Sequence, residues 1–250
     1  ESSCVVCLAS ALDVDTTIHL GHGTAHALKN GGHKTLLLDE FGLSERRTMA
    51  GFLYPTRYDL AQALSNAVHL LKVVRNVEDH FWYATAAKIR ALHARRQIKP
   101  PTLDERLLHA GLSIDYILVP TTDPNATILS YYGHQIKRFV VSSPDHESLS
   151  RALAMVREMC VFQTDESYPV LIIGGASEEE GQAAFQKLAE ASQTVLHQAL
   201  HFAGWIRAFM SSRIVVDPED NEISVPVAGP VSEFVLPVEF FKTISAKITA

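Results

Sequence analysis

Cysteine is scarce in this chain of 250 residues, with 3 in all, at Cys4, Cys7 and Cys160. So few, and an odd number, cannot build the disulfide framework of a small secreted domain, and a reducing compartment is expected. Positive charge is not in excess either. With 22 Lys and Arg against 28 Asp and Glu the formal net charge is −6, which argues against a dedicated nucleic-acid binder, because phosphate affinity comes mainly from clustered cations. Long apolar runs are missing. Segments such as Tyr116 to Pro120 and Phe139 to Val141 fall far short of the roughly 20 residues needed to span a bilayer. The first residues enter an apolar strand with no charged leader or small-residue cleavage pattern, so a cytoplasmic location is expected, with polar or membrane-surface association as variants. Internal repeats, low-complexity stretches and a G-x-S-x-G nucleophile elbow are also absent.

What the chain does have is 47% hydrophobic and 20% charged residues, enough to bury a large core as one domain. Short runs of Val, Ile and Leu alternate with longer stretches of helical period. That pattern belongs to an α/β protein with a buried, mostly parallel sheet and helices on both faces, a three-layer arrangement. Strands are predicted near Cys4–Ser10, Lys34–Asp39, His80–Thr85, Asp115–Val119, Arg138–Val141, Tyr168–Ile173 and Val195–Phe202. Helices are predicted near Thr16–Lys29, Asp59–Asn66, Leu103–Ala110, Ala126–Gly133, His146–Cys160 and Glu178–Ser192. Ser143, Pro144 and Asp145 precede the fifth of these, with Glu147 in its first turn, a strong start signal. A Lys-Pro-Pro step at 99–101 breaks the chain, and from Ser211 onward the pattern dissolves into a proline-containing tail.

The turn after the first strand carries the main chemical question. In P-loop proteins this turn is glycine-rich, its N–H groups cradle phosphates, a lysine reaches the terminal phosphate and a Ser or Thr binds magnesium. Here it reads Ser10-Ala-Leu-Asp-Val-Asp15-Thr16-Thr17. The stretch resembles the KGGxGKTT loop of the MinD/ParA family of P-loop ATPases, but Ser10 and Asp15 stand where that family has lysines. Ala11, Leu12 and Val14 stand where it has glycines, and Thr16 and Thr17 remain. A carboxylate about 4 Å from a phosphate is repelled by roughly 4 kcal/mol per unit charge at an effective dielectric near 20. Val14, being β-branched, resists the positive φ angles of a phosphate nest.

Further resemblances to the same family follow in order along about residues 4–207. Leu28 to Asp39 is similar to its helix end, glycine turn and second strand closing on an aspartate. The string GGHKT inside it is followed by a strand rather than a helix and is no phosphate loop. Gly51-Phe-Leu-Tyr-Pro-Thr-Arg-Tyr-Asp-Leu resembles the GLxPxYxL stretch of the flagellar-number regulators FlhG and FleN. Ile114 to Thr122 resembles the DYxxxDTP strand, with Pro120 where the magnesium-side aspartate belongs. Phe139 to Leu149 is similar to VVVxxPEPxSL, Tyr168 to Ser177 to the base-recognition strand with Ile173 at its asparagine, and His201 to Ile206 to YLGxIP. The resemblance implies a P-loop NTPase, or Rossmann-like, domain over 1–207 with a degenerate nucleotide site at Ser10, Asp15, Thr16, Thr17, Asp39, Pro120 and Ile173, and a tail over 208–250. No catalytic residue and no bound cofactor are expected, ATP and magnesium being the cofactors if the site works. Asp39 keeps an acid, with only Glu40 beside it as a second.

His19, His22 and His26 share a helical face and His33 follows, so a zinc site is conceivable. Gly21 and Gly23 would leave that helix poorly rigid, and a polar or dimer-facing histidine surface is the preferred reading, with no metal site expected. Cys4 and Cys7 point to opposite faces of a strand, which argues against a CxxC role. Lys88, Arg90, His93, Arg95, Arg96 and Lys99 form a basic cluster best read as a solvated helix face. Residues 238–248 are amphipathic if helical, with Phe240, Phe241, Ile244 and Ile248 on one side. Docking on the protein's own core is preferred there over weak membrane-surface contact. The resemblance implies a non-catalytic regulator or spatial organiser of flagellar assembly working through protein contacts with flagellar or polar machinery, and a homodimer. The alternatives are an active ATPase with an unorthodox pocket, or a pilus- or cellulose-type localisation protein.

Overall fold

The computed structural model describes residues 3–47, 51–93, 102–132, 136–162, 167–207, 211–216, 222–227 and 236–245. In chain order the elements are β1 (Cys4–Ser10), α1 (Val14–Asn30), β2 (Thr35–Asp39), α2 (Leu60–Leu64), β3 (Arg75–Glu78), β4 (Phe81–Thr85), α3 (Ile89–His93) and α4 (Leu103–His109). There follow β5 (Tyr116–Thr121), β6 (Ile136–Ser142), α5 (His146–Phe162), β7 (Ser167–Ile173), α6 (Glu178–Leu196), β8 (Ala199–Ile206), β9 (Ser211–Val216), β10 (Glu222–Val227) and α7 (Val238–Ser245). Eight strands form one sheet in the order β3-β4-β2-β5-β1-β6-β7-β8, and β9 and β10 form a separate two-stranded sheet. Every neighbour in the large sheet is parallel except β3 on β4. This is the α/β sheet predicted from the apolar runs.

Alternation along the strands divides the core in two. Val5, Cys7, Ala9, Leu36, Leu38, Ile117, Val119 and Val140 face a layer built by α2, α4, α5 and α6. Val6, Leu8, Leu37, Leu118, Phe139 and Val141 face α1 and α7. Strands buried on both faces read as continuous apolar runs, which is why β1, β2, β5 and β7 were legible. Cys7 lies in the first layer and Cys4 packs against the second, and burial pushes the Cys7 thiol up to about 12. An inert core cysteine results.

Several boundaries differ from the sequence expectation. Ala126–Gly133 is not an α-helix: Thr127–Tyr131 makes a 3₁₀ segment, and Gly133 lies outside the described residues. Helix α6 runs on to Leu196 through the start of the expected last strand and stops at His197 in the left-handed conformation. Among the described residues of the tail, β9 and β10 pair antiparallel and 238–245 forms α7. Strand β3 went unseen because its four residues, mostly exposed, carry no apolar pattern. Helix α1 is one continuous 17-residue helix despite its glycines. A Cβ at Gly21 would lie 2.5 Å from Pro120 Cγ and 3.2 Å from Leu37 Cδ1, so this glycine lets the helix press on the sheet and tertiary packing offsets its poor propensity.

Pro120 has a place in β5 because pairing with β2 ends at Leu37–Leu118, so the strand has only β1 beside it there. A proline, which gives no N–H to a ladder, is tolerated at such a half-paired point. At the other end of the molecule α7 buries Phe240 and Ile244 completely, with Phe240 4.8 Å from the Phe139 ring. The apolar side of this helix is therefore spent on the core. Its stem docks closely, since Gly204, at φ +140°, would place a Cβ 2.3 Å from Pro237 Cγ.

Candidate functional site

At the carboxyl ends of the central strands the N-terminus of α1, the loop after β2 and the start of α5 enclose a cleft of about 470 Å³. Open α/β sheets bind ligands at this edge. Asp13, Asp15, Glu45 and Glu147 face it, together with Arg47 and Arg151. Acids outnumber bases among them.

The turn from β1 into α1 is closed by its own side chains. Asp13 caps the helix: its Oδ1 accepts from the Thr16 N–H at 2.9 Å and its Oδ2 from the Thr16 hydroxyl at 2.6 Å. The Thr17 hydroxyl donates to the Asp13 carbonyl at 2.7 Å, the Leu12 N–H to Ser10 Oγ at 3.2 Å, and the Ala11 N–H to the Val141 carbonyl at 2.8 Å. Asp15 Oδ2 accepts the Arg47 N–H at 3.2 Å. Positive φ among non-glycine residues occurs at Asn66, His80 and His197, so residues 10–17 have none of the left-handed geometry from which anion nests are built. A carboxylate thus sits on the positive end of α1, where a helix would otherwise attract an anion.

The other positions at which the resemblance would put a nucleotide site lie around this end of the sheet without forming a ligand set. Asp39, at the end of β2, is locked in a buried network. Arg46 Nη2 lies 2.7 Å from Asp39 Oδ2, the Tyr83 hydroxyl donates to the same oxygen at 2.6 Å, and the Phe41 N–H donates to Oδ1 at 3.2 Å. Both members of the ion pair are almost wholly shielded from water, and the Arg46 guanidinium also lies over the Phe52 ring at 4.6 Å. Pro120 faces Gly21 of α1. Ile173 ends β7 as a buried apolar residue, and the turn after it is held by Trp205 Nε1 donating to the Gly174 carbonyl at 2.6 Å.

Glu40, one residue past Asp39, accepts a short hydrogen bond from the Thr121 hydroxyl. It lines a second cavity of about 90 Å³ with Glu45, Arg90 and Asp123. Burial raises its carboxyl to about 7. Arg90, part of the basic cluster, lies 3.7 Å from Asp123; Arg95, Arg96 and Lys99 lie outside the described residues.

Sequence reasoning missed Asp13, Arg46, Arg47 and Arg151. Asp13 had a readable signal, an Asp immediately before a helix with Thr16 three residues on. Arg46, Arg47 and Arg151 had none, because they reach the site only through the fold. Of the four histidines, His22 meets both His26 and Tyr54, while His33 packs edge-on against Tyr116 at 5.0 Å.

No family model matches the sequence, and no curated protein matches it. Solved structures do. MinD in the MinC:MinD cell division complex of Aquifex aeolicus is similar at TM-score 0.56 and 19% identity, covering 82% of this chain and 81% of that one. A ParA family ATPase from Chlorobium tepidum TLS is similar at 0.52 and 18%, covering 84% and 85%. A variant of Cyanothece McdA in complex with ATP gives 0.52 and 10%, covering 84% and 85%. At such identities the likeness establishes the architecture alone: the chain has the fold of the MinD/ParA group of P-loop ATPases. Among the described residues no helix is long and apolar enough to cross a membrane.

Proposed function

We propose that this chain is a non-catalytic regulator built on the MinD/ParA fold, acting through protein contacts rather than nucleotide turnover. The observation that carries the reading is the Asp13 carboxylate seated on the N-terminus of α1, with Asp15 two residues on, within the first turn. The residues present do not fit a magnesium triphosphate. The N–H and hydroxyl of Thr16 are given to Asp13, Asp39 is neutralised by Arg46, and Pro120 offers no ligand atom.

Calorimetric titration with ATP and magnesium, with phosphate release measured in parallel, tests it. We expect no binding below about 1 mM and no turnover, and we expect the paired substitution Ser10→Lys with Asp15→Lys to tighten binding by roughly tenfold or more by reversing the local charge. Micromolar affinity or turnover in the native chain removes the proposal. It favours the second reading, an ATPase with an unorthodox pocket, which draws its support from Arg47 and Arg151 lining a cleft of about 470 Å³.

The process served is proposed to be flagellar number or placement, on the resemblance of Gly51–Leu60 to FlhG and FleN. A flagellar transcription activator, an SRP-type flagellar GTPase or polar machinery are the partners this implies, and a homodimer would have to hold without nucleotide between its halves. Pilus- or cellulose-type localisation is the alternative. Deleting the gene and counting flagella decides: unchanged number and position removes the flagellar assignment.

A further inference from the structure

We propose that His22, His26 and Tyr54 form a binding site for a divalent transition metal ion of the zinc class, clamping the segment after β2 onto helix α1. His22 and His26 are four residues apart on α1, so their rings project from successive turns of one face. His26 Nε2 lies 3.1 Å from His22 Nε2, and the Tyr54 hydroxyl lies 2.7 Å from that same His22 nitrogen.

Hydrogen bonding alone accounts poorly for this geometry. A neutral ring nitrogen carries either one hydrogen or one lone pair, so His22 Nε2 serves one of its two neighbours well and the other badly. A cation among the three atoms would use a lone pair from each. With metal–ligand arms of about 2.0–2.1 Å, the edge of a tetrahedron is about 3.3–3.4 Å. Against that edge the two nitrogens need to open by about 0.2–0.3 Å and the phenol oxygen to move about 0.6–0.7 Å further from His22 Nε2.

The surroundings suit the role. Burial holds His22 down to about 4, with His26 and His19 adding to the effect, and burial also lowers His26. The His26 ring packs edge-on against Phe81 at 4.9 Å, which fixes its orientation. The Glu78 carboxylate at the margin of the group is paired with Lys29 at 2.5 Å. Among the described residues no three His, Cys, Asp or Glu side chains gather to hold a metal; the third donor here is a phenol oxygen, and water takes the fourth position. Imidazole-rich sites of this kind favour zinc and copper over magnesium or calcium.

The inference stands apart from the reading of the cleft, since it concerns the middle of α1 and needs no nucleotide. The test uses the full chain without an affinity tag, titrated with zinc and, separately, with cobalt as a spectroscopic probe. We expect one zinc per chain by calorimetry and metal analysis, a cobalt absorption in the visible characteristic of a four-coordinate site, and a metal-dependent rise in Tm. His22→Gln and His26→Gln should each weaken zinc binding by roughly tenfold or more, with the metal-free circular dichroism unchanged. Tyr54→Phe should alter the cobalt spectrum. Uptake that is absent or substoichiometric in the native chain overturns the proposal, as does binding that survives intact in the double histidine variant. Should a variant fail to fold, the native cobalt spectrum decides alone.

Discussion

Gly21 of α1 and Pro120 of β5 are in such close contact that a single added methyl on the glycine would fall 2.5 Å from Pro120 Cγ and 2.9 Å from its Cβ. A proline ring cannot swing away as a flexible side chain would, so the helix and the sheet have to part. Gly21→Ala is therefore expected to destabilise the chain by about 1–3 kcal/mol through overpacking, although alanine improves helix propensity by about 1 kcal/mol. Urea unfolding measures the loss. Adding Pro120→Ala to Gly21→Ala should recover most of it, and a neutral or stabilising Gly21→Ala would contradict the contact.

The Arg46–Asp39 pair is the most buried ion pair in the described structure. Removing one member leaves an uncompensated buried charge, so Arg46→Met is expected to cost about 3–5 kcal/mol. Adding Asp39→Asn to it should restore part of the stability by discharging the remaining partner. If the double variant is less stable than the single one by more than the loss of the Tyr83 hydrogen bond, the pairing is misjudged.

Glu40 gives a pH signature. Its folded carboxyl is raised from 4.5 to about 7 by burial, with Asp123 and Glu45 raising it further and the Thr121 hydrogen bond and Arg90 opposing. Below 4.5 both folded and unfolded forms hold the proton, and no penalty arises. Between 4.5 and about 7 the unfolded chain releases its proton while the folded one keeps it, so this residue's contribution falls as pH rises, by at most about 1.4 kcal/mol per unit. Glu40→Gln should remove that slope, leaving a difference curve against the native chain that is flat above about 7. A difference curve of opposite sign would refute the assignment.

Phe240 tests the seat of the C-terminal helix. It is fully buried against Phe139, and Phe240→Ala is expected to cost about 3–5 kcal/mol. Partition of the native chain onto anionic vesicles should be undetectable, because the side of α7 that would enter lipid faces the sheet. Strong vesicle binding with an unaffected Phe240→Ala stability would show that α7 leaves the core.

The sequence by itself determined the α/β class, because strands covered on both faces are written almost wholly in apolar residues, as in Val5–Leu8, Leu36–Leu38 and Val170–Ile173. It also determined that the turn from Ser10 to Thr17 carries two acids and neither lysine nor glycine, which is a matter of side-chain identity alone. Only the tertiary structure decided that Asp13 occupies the end of α1, that Arg46 neutralises Asp39 across seven residues, and that Gly21 serves close packing rather than flexibility. These depend on distances between elements remote in sequence or on the path of a turn, and local pattern carries no information about either. The meeting of His22 and His26 with Tyr54 is of the same kind: helical spacing placed the two histidines together, but the fold alone brought the phenol to them from 32 residues away.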